Sequence, residues 1–148
     1  MASERPKEPL IIRVKKEDLD DFNKLLDDKE SPFINSTRKA VFLMAVAIGI
    51  HEKRRVKLAG AKTKDYDRVA YLSSKEKTLI KAIAVIENDG NLQTLLSPKE
   101  VYSIAEEYAA GGIKILKKKV FSGEFGSYIK KLEGELLYKY KTMEKKIK

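Results

Sequence analysis

The residues that most often carry chemistry are scarce in this sequence. Cysteine is absent, which excludes disulfides, thiolate zinc sites and cysteine nucleophiles, and His51 is the only histidine. We expect His51, which directly follows an apolar helix, to cap that helix or to face solvent. Asp18, Asp20 and Asp21 have the spacing of a calcium-binding loop, but no glycine turn or distal glutamate follows in register. We therefore expect these three carboxylates to face solvent at a helix start.

The other acidic residues form no recognised catalytic set. Lys64, Asp65 and Asp67 are predicted on a loop, without the strand-borne acid and lysine of a nuclease. Glu106 and Glu107 are predicted on the solvated face of an amphipathic helix. No glycine elbow surrounds a serine, and no glycine-rich loop has the spacing that cradles phosphate. We therefore predict a protein without enzymatic activity, metal or cofactor.

The composition is that of one folded, basic domain. The chain has 148 residues, of which 43% are hydrophobic, enough for a core without disulfides. Lysine and arginine number 31 against 22 acidic residues, and the resulting net charge of +9 favours polyanions such as nucleic acid. Lysine-rich surfaces also occur in heat-adapted proteins without such a ligand. The N-terminal MASERPKEPL has charges where a signal peptide is apolar, so we expect a cytoplasmic protein with no membrane partner.

Apolar spacing predicts a mainly α fold of about five helices with one short N-terminal strand. Leu10 to Lys15 is the predicted strand, because Leu10, Ile12 and Val14 share one face while Ile11 and two basic residues share the other. Val56 to Leu58 is a weaker strand candidate. The predicted organisation is a flexible arm at 1–9 and a single domain at 10–148, in which a strand–helix–helix block (10–55) precedes a helical half (73–148).

The second predicted helix is the most hydrophobic segment of the chain. Ala40 to Ile50 is an unbroken run of apolar residues and glycine, and the helix can be capped by Asn35, Ser36 or Thr37. A helix that is apolar on every side is buried on every side, so we predict a central helix at about 36–53. Four of its side chains are expected to be almost fully buried: Phe42, Leu43, Val46 and Ile50.

Capping residues and three- and four-residue apolar steps predict the other helices. The third helix has a serine and glutamate capping box, and the fourth has a serine cap followed by proline. The last helix has one apolar stripe formed by Tyr128, Ile129, Leu132, Leu136, Tyr140 and Met143. The predicted limits are about Glu17 to Asp28 for the first helix, Ser73 to Asn88-Asp89-Gly90 for the third, Ser97 to a bend or end at Gly111-Gly112 for the fourth, and Gly126 onward for the last.

The order of elements in the N-terminal block resembles that of the ribbon-helix-helix unit. In that unit, strands from two chains pair as a ribbon and enter the major groove of DNA. Arg13 and Lys15 would then face bases or phosphates, and backbone N–H groups at Asn35 to Arg38 would hold a phosphate at the start of the second helix. Ile11 on the groove-facing side departs from this pattern. The alternative is a plain strand packed on helices.

Two stretches are similar to a family of small proteins found beside Dnd (DNA phosphorothioation) defence genes. The first is KAVFLMAVAIG at 39–49, followed by RRVKL at 54–58, and the second is EEYAAGGIKIL at 106–116. The similarity covers about residues 10–120, and this sequence departs from it at Ile50, where an aromatic residue is expected. The resemblance implies an accessory role in modification-linked antiviral defence and supplies no catalytic residues.

These features predict a non-enzymatic, basic DNA-binding accessory protein of a DNA-modification-linked antiviral defence system, acting on double-stranded DNA as a homodimer. The alternative is an adaptor subunit that binds other defence-system proteins without touching DNA, with its lysines serving solubility. The residues predicted to contact DNA are Arg13, Lys15, Ser36, Arg38, Lys39, Lys53, Arg54 and Arg55.

Overall fold

The computed structural model describes residues 7–147, and in that part of the chain it has five α-helices and a two-stranded antiparallel sheet. This confirms the predicted mainly α class with an N-terminal strand. Most of the predicted flexible arm lies outside the described residues. The strands are β1 (Ile11–Lys15) and β2 (Thr63–Arg68), and the helices are α1 (Leu19–Asp27), α2 (Arg38–His51), α3 (Ser74–Glu87), α4 (Pro98–Phe121) and α5 (Phe125–Ile147).

The strand β1 pairs with β2 of the same chain. Ile12 and Val14 face the core and are at most 3% exposed, as the alternation predicts, although Leu10 just before the strand is exposed. The strand β2 was not predicted, because its sequence TKDYDR is mostly polar. Tyr66 is its single buried residue. The weaker candidate at Val56 to Leu58 is not a strand.

The centre of the fold is the crossing of α2 and α4, where glycines let the two backbones touch. A methyl group built on Gly49 would collide with the carbonyl oxygen of Tyr108, and one built on Gly112 would collide with the carbonyl oxygen of Ala45. Such contact requires residues without a side chain. The two stretches that carry the family resemblance, 39–49 and 106–116, therefore meet at one helix crossing.

The expectation that α2 is buried on every side is wrong for one of its faces. Phe42 and Val46 are at most 2% exposed, as predicted, because they face α4 and the rest of the core. Leu43 is only partly buried and Ile50 is 38% exposed. The helix is central, but its neighbours do not cover the face that contains these two side chains.

The capping residues predicted where helices start, whereas the pair of glycines at 111 and 112 did not mark the end of a helix. The capping box at the start of α3 is formed, with Ser73 and Glu76 bonded to each other's backbone. Ser97 precedes α4 without a side-chain capping bond. The helix α4 does not end at Gly111-Gly112, since those glycines serve the close packing on α2 and leave the helical backbone continuous.

Candidate functional site

Two of the residues predicted to contact DNA, Arg13 and Lys15, lie on the outer face of the sheet. The Arg13 guanidinium is 3.7 Å from the Asp65 carboxylate. The prediction that Lys64, Asp65 and Asp67 lie on a loop is wrong, because all three lie in β2. Lys15 Nζ is 3.2 Å from Glu17 Oε1. Surface ion pairs of this kind contribute at most about 1 kcal/mol. Both cations can therefore exchange these partners for another anion.

The helix α4 places a carboxylate beside β1. The backbone N–H of Arg13 donates to Glu106 Oε2 at 2.6 Å, where a ribbon would pair it with a second chain. Burial raises the pKa of Glu106 to about 7, against the opposing effect of Arg13. The prediction that Glu106 and Glu107 face solvent is wrong, because Glu106 is half-buried and Glu107 is 8% exposed.

At the start of α2, two of the predicted cations are bonded to neighbouring elements. Arg38 Nη1 donates to the carbonyl oxygen of Tyr66 on β2 at 2.7 Å, and its guanidinium lies over the Tyr66 ring. Lys39 Nζ donates to the carbonyl oxygen of Tyr71 at 3.0 Å and to Glu76 Oε1 at 2.9 Å. These contacts attach the start of α2 to β2 and to α3, so both cations have structural partners.

At the end of α2, Arg55 is the centre of an ion-pair network. Its Nε donates to Glu107 Oε1 at 2.8 Å and its Nη1 donates to Glu87 Oε2 at 3.1 Å, while the Tyr108 hydroxyl donates to Glu87. Burial alone would lower the pKa of Arg55, but the two carboxylates outweigh it and raise this pKa. Glu107 also accepts from the backbone N–H of Leu58 at 3.3 Å. Arg55 thus holds the segment after α2 against α3 and α4.

Ser36, Lys53 and Arg54 are exposed members of the predicted set. Within the described residues, their side chains form no hydrogen bond or ion pair. The 14 residues of α2 rise by about 1.5 Å each, so Ser36 is about 20 Å or more from Lys53 and Arg54. The structure therefore distributes the predicted residues over the sheet and the two ends of α2, without gathering them into one cluster.

Two aspartates of the calcium-like pattern are buried and bound to lysines. Asp18 and Asp21 are 1% and 6% exposed, so the expectation that they face solvent is wrong. Asp21 accepts from Lys114 at 2.8 Å and from Lys117 at 2.7 Å, and Lys114 is also 3.1 Å from Asp18. Burial raises the pKa of Asp18, whereas the two lysines overcome burial and lower the pKa of Asp21. This network holds α1 against α4.

The first half of α5 packs on the body of the protein. The rings of Phe125 and Phe33 are 5.5 Å apart, and the Tyr128 hydroxyl donates to Glu52 Oε1 at 2.9 Å. Glu135 Oε2 on α5 lies 3.5 Å from His51 Nε2, so His51 contacts α5 directly. Beyond this pair, α5 continues to Ile147.

The second half of α5 presents large apolar side chains to solvent, and sequence reasoning missed this. Leu136, Tyr140 and Met143 belong to the predicted apolar stripe, but the stripe alone does not reveal where the packing of α5 on the protein ends. Five large apolar side chains between residues 136 and 143 are 54% to 73% exposed: Leu136, Leu137, Tyr138, Tyr140 and Met143.

The described residues, 7–147, offer neither a candidate metal centre nor a membrane-spanning helix. No group of three or more histidine, cysteine, aspartate or glutamate side chains in this range could hold a metal ion. None of the helices described has both the length and the apolar content needed to cross a membrane.

Comparison with known protein families identifies a match over most of the chain. A family model described as DNA sulphur modification system-associated protein 4 matches residues 12–146, which is most of the chain. This confirms the resemblance to a Dnd-associated family and extends it to nearly the whole sequence. No curated protein and no solved structure matches the chain.

Proposed function

This chain belongs to the DNA sulphur modification system-associated protein 4 family, and from that membership we propose that it is a non-enzymatic adaptor that binds another protein of such a defence system. The observation that carries the proposal is the exposed second half of α5. Contiguous apolar side chains on the surface of a folded domain commonly mark a protein–protein contact. Binding of DNA alone would not account for the exposure of these apolar side chains.

The partners of the acidic and histidine side chains also support an adaptor over an enzyme. Glu107 is neutralised by Arg55, Asp21 is held by two lysines, and His51 is paired with Glu135. Each of these groups joins two elements of the fold. A catalytic acid, base or nucleophile must instead reach the reacting atoms of a substrate.

Binding of double-stranded DNA is the second candidate function. It is favoured by the net charge of +9 and by the exposed cations Arg13, Lys53 and Arg54. The ribbon form of this hypothesis, with two chains paired through β1, has to displace Glu106 from the backbone of Arg13. DNA contact through Lys53 and Arg54 needs no such displacement.

The two candidates are separated by titrating the purified chain with each protein encoded by its DNA sulphur modification system, and separately with a short DNA duplex. We expect one of the proteins to bind with micromolar or better affinity. Exchange of Leu136 and Met143 for serine should abolish this binding, whereas the matched exchange Ile86→Ser, at a 75% exposed position of α3, should not.

The adaptor proposal fails if no protein of the system binds and only the duplex does. In that case the logarithm of the DNA affinity should fall with the logarithm of salt concentration, by about 0.9 for each phosphate contacted. Exchange of Lys53 and Arg54 for serine should then make this salt dependence less steep, by nearly the contribution of two phosphate contacts.

A further inference from the structure

The apolar stripe of α5 runs without interruption from the covered half into the exposed half. Its members follow one another at steps of four, three, four, four and three residues, or 18 residues in five steps. The average step therefore equals the 3.6 residues of one α-helical turn, so the stripe stays on one face of the helix. The first three members are half-buried and the last three are at least 60% exposed. The α5 stripe consists of Phe125, Ile129, Leu132, Leu136, Tyr140 and Met143.

The exposed half of α5 would gain stability from a covering surface. Residues 136–147 extend beyond the ion pair of Glu135 with His51. Isolated helices shorter than about 12–15 residues are marginal in water, and most helical stability in proteins comes from packing of an apolar face. The face that would pack is the one that already packs in the first half of α5.

The charge of this segment selects among the surfaces that could cover it. Residues 136–148 have five lysines and one glutamate. Pairing with a second copy of α5 would bring two such clusters of like charge together, which opposes association. Nucleic acid would satisfy the lysines, but phosphate contacts do not use an apolar stripe. A protein surface that is apolar at its centre and acidic at its margins satisfies both features.

We propose that the exposed half of the α5 stripe binds an acidic amphipathic helix of a partner protein. In this complex, Leu136, Tyr140 and Met143 form an apolar seam with the partner helix, as in paired helices elsewhere. Lys139 lies beside the seam and meets the partner's carboxylates, whereas Lys141 lies farther round the helix. The inference rests on the proposed adaptor function and specifies the chemistry of the partner.

The test uses the full chain and two synthetic helical peptides of about four heptads with leucine at the seam positions. One peptide has glutamate at the flanking positions and the other has lysine there. Titration calorimetry should show that the glutamate peptide binds at least about tenfold more tightly than the lysine peptide. Lys139→Glu should reduce this preference more than Lys141→Glu, the matched change on the far side.

A second set of variants tests the seam itself. Exchange of Leu136 and Met143 for serine should weaken binding of the glutamate peptide by at least about tenfold. Ile86→Ser, which alters an exposed apolar side chain on α3, should leave this binding unchanged. Circular dichroism of each variant shows whether the body of the protein is still folded.

Four outcomes would overturn the inference, three of them in the peptide and sedimentation experiments and the last in titration with a system protein. The first is equal binding of the two peptides, and the second is no binding of either peptide. The third is a dimer in sedimentation that dissociates on Leu136→Ser, which identifies a second copy as the occupant. In each case, titration with the proteins of the DNA sulphur modification system still decides the adaptor function separately. A system protein that needs Leu136 and Met143 but does not depend on Lys139 would retain the adaptor and exclude the acidic helix.

Discussion

At the scale of the residue, the cations predicted to contact DNA differ in what their side chains already bind. Arg38, Lys39 and Arg55 each join two elements of the fold, whereas the side chains of Lys53 and Arg54 form no hydrogen bond or ion pair with the described residues. The sequence shows only that all five are basic. The carboxylate partners of Arg55 are 32 and 52 residues away along the chain, and no local pattern predicts such pairs.

Neighbouring arginines should therefore respond differently to the same substitution. Arg55→Met leaves the buried Glu107 carboxylate without its main partner, and we expect it to lower the free energy of unfolding by about 2 kcal/mol or more. Arg54→Met should change it by less than about 0.5 kcal/mol. Urea unfolding measures both values. Equal effects of the two substitutions would contradict the structural role of Arg55.

The raised pKa of Glu106 predicts a pH dependence of stability. Because this pKa is about 7 in the folded protein against an ordinary 4.5, the folded protein binds the Glu106 proton more tightly than the unfolded chain does. The resulting stability is fully present below about pH 4.5 and is lost as the pH rises through about 7. Relative to Glu106→Gln, the wild type should lose about 1–3 kcal/mol across this window.

Unfolding midpoints of the two proteins, followed from about pH 4 to about pH 8, check this difference. Glutamine is a suitable comparison because its side-chain oxygen can still accept from the Arg13 N–H and it does not ionise over this range. A difference between wild type and variant that stays constant with pH would mean that Glu106 ionises at its ordinary pKa.

At the scale of the element, helices with a clear apolar period or a cap were predictable from sequence. The starts of α2 and α3 follow from Thr37 and Ser73, whose side chains cap these helices. The strand β2 was not predictable, because a polar sequence with one buried tyrosine has no period of two. Which faces of α2 and α5 are covered was also not predictable, since it depends on how the helices pack together.

The close crossing of α2 and α4 predicts opposite effects for two helical glycines. Gly112→Ala places a methyl group against the carbonyl oxygen of Ala45, and we expect a loss of about 2 kcal/mol or more in the free energy of unfolding. Gly134→Ala on α5 meets no atom within 4 Å and should be neutral or stabilise by up to about 1 kcal/mol. Chemical unfolding of both variants measures the contrast. A Gly112→Ala protein as stable as the wild type would contradict the backbone contact.

At the scale of the whole molecule, we expect the core and the exposed half of α5 to contribute separately to stability. The side chain of Leu116 is fully buried in the core, so Leu116→Ala should cost about 2–5 kcal/mol in stability. Met143→Ser, at a 61% exposed position, should change stability by less than about 0.5 kcal/mol. Thermal or chemical unfolding compares them. A large loss in Met143→Ser would mean that this part of α5 already packs on the chain's own body.

The most direct test of the adaptor function is amide hydrogen exchange of the chain alone and with each protein of its DNA sulphur modification system. In the free chain, we expect fast exchange at 136–145, because the large apolar side chains of this half of α5 are exposed, and slow exchange in α4. With the partner protein, exchange at 136–145 should slow by at least about tenfold while α4 is unchanged. The account is contradicted if none of these proteins protects α5, and duplex DNA instead protects β1 or the end of α2.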